Sequence, residues 1–346
     1  MDRKNKWYAA AGAVLLASAF ALQVAARNIG GFATWYAHRI YPVLVGAIGR
    51  FFGIFPFSVV EICLYLLIFI SIVYAIRFFR EPWRMLSRTL FLVGALLFSY
   101  TANCGVNYYA APFSSYAGLE TGLYTKEELE DLCRFLVEQV NENVTMESYA
   151  EHRQEWRKEG LKAMGQAAAQ YECLGGFYPP PKEVAWSYIL SVQQLCGIYA
   201  PFTIEANYNG DMPSYNVPHT ICHELSHLKG FMREDEANFI GYLACISSEN
   251  QAFRYSGYLM GWIYAGNALA RADMKAYMEL RQQLDPQAER DLLANNAFWD
   301  RYEGKVAEAA NQLNDTYLKM NDQTDGVQSY GRAVDLMLAY YMGQAR

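Results

Sequence analysis

The sequence predicts a mainly α-helical protein in two parts: a membrane region, residues 1–108, and a mostly helical domain with a small β element, residues 109–346. Three observations predict this class. Hydrophobic residues make up 53% and aromatic residues 15% of the chain, which is high for a soluble protein. The apolar excess concentrates in three long runs near the N-terminus. Helical periodicity and capping signals dominate the remainder, which offers one good strand candidate.

The three apolar runs are each long enough to cross a bilayer. They extend from Trp7 to Ala26, from Phe57 to Ile76 and from Thr89 to about Val106, close to the roughly 20 residues that a transmembrane helix needs. A cleaved signal peptide is the alternative for the first run, but no convincing small-residue cleavage site precedes Arg27. We therefore expect three retained transmembrane helices.

Basic residues predict the orientation of these helices. Three lie at the N-terminus and four lie between the second and third runs: Arg3, Lys4, Lys6, Arg77, Arg80, Arg84 and Arg88. Loops rich in lysine and arginine stay in the cytoplasm, so both regions should be cytoplasmic. Three crossings then place the C-terminal domain outside. We expect a multi-pass protein of the cell membrane with an extracytoplasmic C-terminal domain and the lipid bilayer as a partner.

The charge balance of the C-terminal domain excludes one class of partner. From Tyr109 onward the chain has 32 acidic and 19 basic residues, whereas the preceding part has 3 acidic and 10 basic residues. An acidic domain repels the phosphates of nucleic acids, and no glycine-rich phosphate-binding loop is present. We therefore expect no nucleic-acid partner.

The C-terminal domain reads as a series of helices. Thr125 and Glu128 carry the capping-box pattern that opens a helix. Apolar periodicity predicts helical stretches over about residues 126–143, 149–171, 182–196, 251–283, 286–321 and 326–342.

One segment of this domain reads as a β-strand. Phe202–Tyr208 is the strand candidate, and Asn209 and Gly210 form its turn.

Three of the five histidines fall within nine residues, at His219, His223 and His227. The run from His223 to His227 has the pattern HExxH, with Glu224 after the first histidine. Positions i and i+4 lie on one face of a helix, so two imidazoles can hold one zinc ion while the glutamate acts as general base on the water that zinc activates. A solvated polar helix with incidental histidines is the alternative.

The flanking residues favour a helix around this motif. Asn216 can cap the N-terminus, Pro218 suits the first turn and Gly230 is a typical stop signal. His219 continues the histidine stripe by one turn. We expect it in a cleft wall or near substrate rather than at the metal, and a capping or surface role is the alternative.

A catalytic zinc needs a third protein ligand, and the run after the motif supplies three acidic candidates. We choose Glu236 because it shares a helix face with Ile240 and Leu243, the side that should pack on the motif helix. Asp235 is the runner-up and Glu234 is third. Acidic residues in a first helical turn also suit the helix dipole, which is the alternative explanation.

With these residues the chain resembles the gluzincin metallopeptidases, in which a helix after HExxH donates a glutamate, often within a Glu-Ala-Asp triplet. The sequence here is Glu236-Ala237-Asn238. Asn238 keeps an amide oxygen that could support a metal-bound histidine but removes a charge. The metzincin pattern does not fit, because Arg233 stands at its third histidine and arginine cannot ligate a metal.

Over most of its length the chain also resembles a bacterial family of membrane proteins known as domain of unknown function 3810. The resemblance rests on the N-terminal apolar segments, the stretch from His223 to Cys245 and a closing stretch from Gly326 to Arg332. It implies a membrane-attached, zincin-like domain and does not identify a substrate. In zincin-like folds a strand before the motif helix borders the cleft and can pair with an extended peptide. The resemblance therefore implies that Phe202–Tyr208 pairs with the substrate, and an ordinary surface strand is the alternative. Tyr330 in the closing stretch is a candidate donor to a developing oxyanion, with a buried structural tyrosine as the alternative.

Together these patterns predict a membrane-anchored zinc metallopeptidase that acts on a peptide or protein substrate. The expected zinc ligands are His223, His227 and Glu236, and Glu224 is the expected general base. The alternative is a membrane-bound zinc-binding sensor or scaffold that keeps the fold without proteolysis. A closed structural zinc site is disfavoured, because the seven cysteines show no metal-binding spacing.

Overall fold

The structure is a computed structural model that describes residues 2–122, 124–321, 323 and 332–344. It is mainly helical with a small three-stranded sheet, which confirms the predicted fold class. The chain divides into two compact units. The N-terminal unit comprises the residues up to Ala111 together with Ala200–Glu205, and the C-terminal unit comprises Pro112–Tyr199 and the residues from Ala206 onward.

The helices of the N-terminal unit are α1 (Arg3–Asn28), α2 (Phe32–Arg39), α3 (Tyr41–Leu44), α4 (Arg50–Gly53), α5 (Val59–Phe78) and α6 (Pro82–Tyr100). A π-helical turn joins α3 to α4, and a second π-helical turn, Thr101–Gly105, continues α6 before a 3₁₀ turn, Asn107–Tyr109.

Three helical stretches of this unit are long and apolar enough to cross a membrane: Arg3–Asn28, Val59–Phe78 and Pro82–Tyr109. They contain the first and third predicted runs, and all of the second except Phe57 and Ser58. Two glycines let α1 and α6 approach closely: a Cβ on Gly12 would lie 2.8 Å from the Leu90 backbone, and one on Gly94 would lie 2.7 Å from the Gly12 carbonyl oxygen. Small residues at a helix contact are typical of packing within membranes.

The N-terminus of α5 is capped twice within the same unit. The Ser58 hydroxyl accepts the Glu61 N–H at 3.3 Å, and the Glu205 carboxylate accepts the N–H groups of Val59 and Val60 at 3.2 and 2.8 Å. A carboxylate at this position satisfies first-turn donors and complements the positive end of the helix dipole.

The helices of the C-terminal unit are α7 (Phe113–Ala117), α8 (Lys126–Asn143), α9 (Tyr149–Gln170), α10 (Tyr188–Ser191), α11 (Asn216–Lys229), α12 (Glu234–Ile246), α13 (Gln251–Ala272), α14 (Met274–Arg281), α15 (Pro286–Asp300), α16 (Lys305–Met320) and α17 (Ala333–Gln344). The predicted capping box is confirmed: Glu128 N–H donates to the Thr125 hydroxyl at 3.2 Å, and Thr125 N–H donates to the Glu128 carboxylate at 2.7 Å.

Three of the predicted helical stretches are wrong in detail. The stretch 251–283 breaks at Asp273, whose carboxylate caps α14. The stretch 286–321 breaks after Asp300, and Gly304, with φ of 147°, precedes the first residue of α16. The stretch 182–196 contains a strand and the single turn α10 instead of one helix. Of the stretch 326–342, residues 326–331 lie outside the described residues.

The sheet contains β1 (Lys182–Glu183), β2 (Gly197–Ala200) and β3 (Glu205–Tyr208), in the order β1-β3-β2. β1 pairs with β3 in parallel, with Lys182 opposite Asn207. The predicted strand is therefore present as β3, but it lies in the centre of the sheet and has a partner on both sides. The expectation that a substrate pairs with this strand is wrong, because the outer strands are β1 and β2.

The core of the C-terminal unit surrounds α11, which packs against α9, α12 and α13. A Cβ on Gly160 of α9 would clash with the Ile221 side chain, and a Cβ on Gly241 of α12 would lie 3.3 Å from the His219 carbonyl oxygen and the His223 nitrogen. Glycines at both contacts let the neighbouring helices approach the backbone of α11. This packing fixes the helix that carries the histidines.

Candidate metal centre

Helix α11 carries the HExxH residues and ends where the sequence predicts. Gly230 has φ of 111° and stops the helix, and Phe231 N–H closes the last turn on the Ser226 carbonyl oxygen at 3.1 Å. A left-handed residue at this position favours glycine. The predicted cap is wrong: Asn216 is the first helical residue, and its side-chain amide donates to the Asn295 side chain at 2.7 Å.

The side chains of His223 and His227 converge on one side of α11. Their Nε2 atoms lie 3.0 Å apart. Nδ1 of His227 lies 2.9 Å from the Phe231 carbonyl oxygen, and because a carbonyl oxygen only accepts, Nδ1 must carry the hydrogen. In neutral His227 the lone pair therefore belongs to Nε2 and faces His223, as a metal-binding histidine requires.

Glu234, the first residue of α12, completes a cluster with the two histidines. Its Oε2 lies 3.3 Å from His223 Nε2 and its Oε1 lies 3.6 Å from His227 Nε2. Burial opposes ionisation of Glu234, but the two imidazoles outweigh it and hold its pKa well below the usual range. Burial also opposes protonation of His227, yet the Glu234 carboxylate raises the pKa of His227 to about 9.

The structure does not bring Glu236, the residue chosen from helix periodicity, into this cluster. Glu236 is buried, and its Oε1 accepts the Phe113 N–H at 3.0 Å and lies 3.5 Å from the Arg233 guanidinium. It therefore anchors the start of α7. The runner-up Asp235 is also outside the cluster, which among the described residues consists of His223, His227 and Glu234.

Glu224 lies buried beside the cluster, with only 3% of its surface exposed. Burial raises its pKa to about 7, although the neighbouring imidazoles of His223 and His227 oppose the shift. Among the described residues its Oε2 has no hydrogen-bond partner. A buried carboxyl oxygen without a partner is costly and points to a ligand or water at that position.

Strand β2 lies against Glu224. A Cβ on Gly197, the first residue of β2, would lie 2.7 Å from Glu224 Cγ and 2.8 Å from the Asn207 carbonyl oxygen. Only glycine lets the strand backbone come this close. Sequence analysis missed the role of Gly197, because a glycine before three apolar residues carries no signal of its own.

His219 is buried one turn before the histidine pair and is not part of the cluster. Its Nε2 lies 3.1 Å from the Asn238 carbonyl oxygen, and burial lowers its pKa to about 3. The Asn238 side-chain oxygen accepts the Tyr264 hydroxyl at 3.1 Å. These contacts exclude a surface role for His219. They place His219 and Asn238 in the packing between α11, α12 and α13. Tyr330 lies outside the described residues.

The family model described as "Protein of unknown function (DUF3810)" matches residues 36–338. The chain belongs to the DUF3810 family. The matched range contains helices α11 and α12 and therefore the whole cluster. No curated protein and no solved structure matches the chain.

The donor set of this DUF3810 cluster fits a zinc ion. Zinc–ligand bonds of about 2.0–2.1 Å in a tetrahedral arrangement place neighbouring donor atoms about 3.3 Å apart. The observed separations of 3.0, 3.3 and 3.6 Å lie around this value. Two imidazoles and one carboxylate leave a fourth position open, which is typical of a catalytic rather than a structural zinc site.

Proposed function

We propose that this protein is a membrane-anchored, zinc-dependent metallopeptidase that hydrolyses peptide bonds. The observation that carries the proposal is the convergence of His223, His227 and Glu234 beside the buried carboxyl group of Glu224. Structural zinc sites use four protein ligands and have no need of an adjacent acid, so the combination favours hydrolysis.

In this proposal the metal is held by Nε2 of His223, Nε2 of His227 and the Glu234 carboxylate. Zinc, when bound, supplies Lewis-acid polarisation of a scissile carbonyl and of a water molecule. The N–H of His227 that donates to Phe231 fixes the ring orientation, and such contacts also make an imidazole a stronger ligand.

Glu224 is proposed as the general base and acid. A carboxylate can accept a proton from water and return it to the leaving amine. In the metal-free chain burial raises the pKa of Glu224 to about 7, and a bound cation favours its ionised form. Its Oε2 has no partner among the described residues and is therefore free to contact that water.

Strand β2 is the proposed docking edge for the substrate. It lies at one side of the three-stranded sheet, and its first residue, Gly197, contacts Glu224. An extended peptide that adds a strand to β2 would pass the general base with its backbone held by main-chain hydrogen bonds. Such binding requires an unfolded segment, so we propose unstructured peptides or proteins as the substrate class.

The proposed location of the site is extracytoplasmic. Basic residues cluster before the first and between the second and third membrane-crossing helices, which favours a cytoplasmic position for both regions. Three crossings then bring the C-terminal unit to the opposite side.

The test uses the purified full chain in detergent. We expect about one zinc per chain and cleavage of an unstructured protein, and we expect Glu224→Gln to keep the zinc while its cleavage rate falls by about 10²–10⁴-fold, the usual contribution of a general base. A native chain without zinc after metal reconstitution would contradict the proposal. Zinc without cleavage of a broad peptide library would favour the sensor or scaffold alternative instead.

A further inference from the structure

The N-cap residue of α12 is Arg233, which precedes Glu234 and contributes no side-chain capping bond. The first N–H groups of a helix have no partner within the helix and need an external acceptor when they are partly buried. The N–H of Glu234 finds one: it donates to Oε1 of Gln323 at 3.3 Å.

The backbone of Gln323 is hydrogen-bonded to the last turn of α16. Its backbone N–H donates to the Leu318 carbonyl oxygen at 3.0 Å, and only 4% of its surface is exposed. Asn321 supports the same turn, since its N–H also donates to Leu318 and its side chain donates to the Tyr317 carbonyl oxygen at 2.9 Å. Leu318 is fully buried. The acceptor for Glu234 thus comes from a residue 89 positions along the chain whose own backbone is hydrogen-bonded to the end of α16.

We propose that Gln323 is a positioning residue for the carboxylate that completes the metal cluster. The side chain of Glu234 starts from the same residue whose N–H Gln323 holds, at the end of a helix that would otherwise fray. Holding this residue fixes the starting point of a side chain with three torsions, and so fixes the distance of the carboxylate from His223 and His227.

This inference rests on the proposed metal site but makes a separate claim. If Gln323 only stabilises the fold, its removal lowers the stability of the metal-free chain and leaves the metal affinity of folded protein unchanged. If it positions Glu234, its removal weakens metal binding even where the metal-free chain is folded. Contacts that orient metal ligands typically change affinity by about 10- to 100-fold.

The experiment compares three variants of the full chain in detergent. Gln323→Leu removes the acceptor at similar size, Gln323→Glu keeps an acceptor of the same length, and Gln312→Leu makes the same change at an exposed position of α16. We measure the zinc dissociation constant against a chromogenic chelator, the visible absorption of the Co²⁺-loaded chain, and thermal unfolding without metal.

We expect Gln323→Leu to bind zinc about 10- to 100-fold more weakly and to show altered Co²⁺ bands, while Gln323→Glu and Gln312→Leu stay near the native values. Native affinity and native Co²⁺ bands in Gln323→Leu would overturn the inference and leave the proposed function standing. If Gln323→Leu does not fold, a folded Gln323→Glu that binds zinc about tenfold or more weakly than the native chain would also overturn the inference, because that variant keeps an acceptor for the Glu234 N–H. A native chain that binds no zinc would overturn both.

Discussion

The identity of the third ligand can be decided by one pair of substitutions, Glu234→Gln and Glu236→Gln. Both replace a glutamate of the first turn of α12 by its neutral isostere, and they lie two residues apart. Only Glu234 approaches the histidines, with carboxylate oxygens 3.3 and 3.6 Å from their Nε2 atoms. Glu236 instead accepts the Phe113 N–H at 3.0 Å.

The expected loss for Glu234→Gln follows from the binding energy of a zinc site. About 10–16 kcal/mol for a structural zinc site, shared among four ligands, gives about 2.5–4 kcal/mol for each ligand. An amide oxygen is a poor substitute for a carboxylate, so the zinc affinity should fall by about 10²–10³-fold. For Glu236→Gln we expect a change below about threefold. Burial already raises the pKa of Glu236 to about 7, and the amide oxygen can still accept from Phe113.

The assay is competition for zinc with a chromogenic chelator at fixed pH. Circular dichroism and thermal unfolding of the metal-free chains verify that both variants are folded. The reasoning is refuted if Glu236→Gln loses zinc while Glu234→Gln retains it, since that result would restore the choice based on helix periodicity.

Three further predictions concern proton release, the edge strand and helix packing. The Glu234 carboxylate raises the pKa of His227 to about 9 from an ordinary 6.5, so the stability that this proton adds to the metal-free fold is complete below pH 6.5 and is lost as the pH rises through 9. Zinc binding at pH 7 should therefore release about one proton, which calorimetry in buffers of different ionisation enthalpy measures. Zinc binding without proton release would contradict this assignment. Gly197→Ala should displace Glu224 and reduce cleavage at least tenfold with zinc retained, and native cleavage by this variant would count against the proposed contact. On α9, Gly160→Ala should destabilise the fold by about 1–3 kcal/mol because the added Cβ meets the Ile221 side chain. The added Cβ of Gly165→Ala meets no other atom, so this variant should stabilise the fold by about 0.5–1 kcal/mol. Equal melting temperatures of the two variants would contradict the packing of α9 against α11.

The sequence was most informative where a local rule is sufficient. The capping box of Thr125 and the stop at Gly230 depend on contacts within one turn, and both are present in the structure. The proximity of His223 and His227 likewise follows from the geometry of a single helix. Apolar runs long enough to cross a bilayer are a matter of composition and length, and each of the three predicted runs corresponds to one of the long apolar helices.

The third member of the cluster depends on tertiary geometry, and periodicity favoured Glu236, which lies outside the cluster. Glu236 does share a buried face of α12 with Ile240, as expected. In the first turn of α12, however, this face contacts the start of α7, where Glu236 accepts the Phe113 N–H. The connection between α11 and α12 is only four residues, Gly230 to Arg233. It brings the first residue of α12 back against the histidines, and the sequence pattern does not contain this path.

The edge strand beside Glu224 was missed for a similar reason. β2 has only four residues, and the apolar residues that precede it imitate a helix. The segment is bounded by two residues with left-handed backbones, Gln194 with φ of 55° and Ile204 with φ of 51°. Isoleucine is β-branched and rarely adopts this conformation, so the residue preferences around Ile204 do not predict the turn into β3.

Zinc K-edge X-ray absorption of the zinc-loaded full chain tests the central claim most directly. With one zinc per chain, we predict a first shell of nitrogen and oxygen ligands at about 2.0–2.1 Å that includes two imidazoles. In His227→Ala the imidazole contribution should be halved. A sulfur shell at about 2.3 Å, or a spectrum unchanged in His227→Ala, would contradict the account.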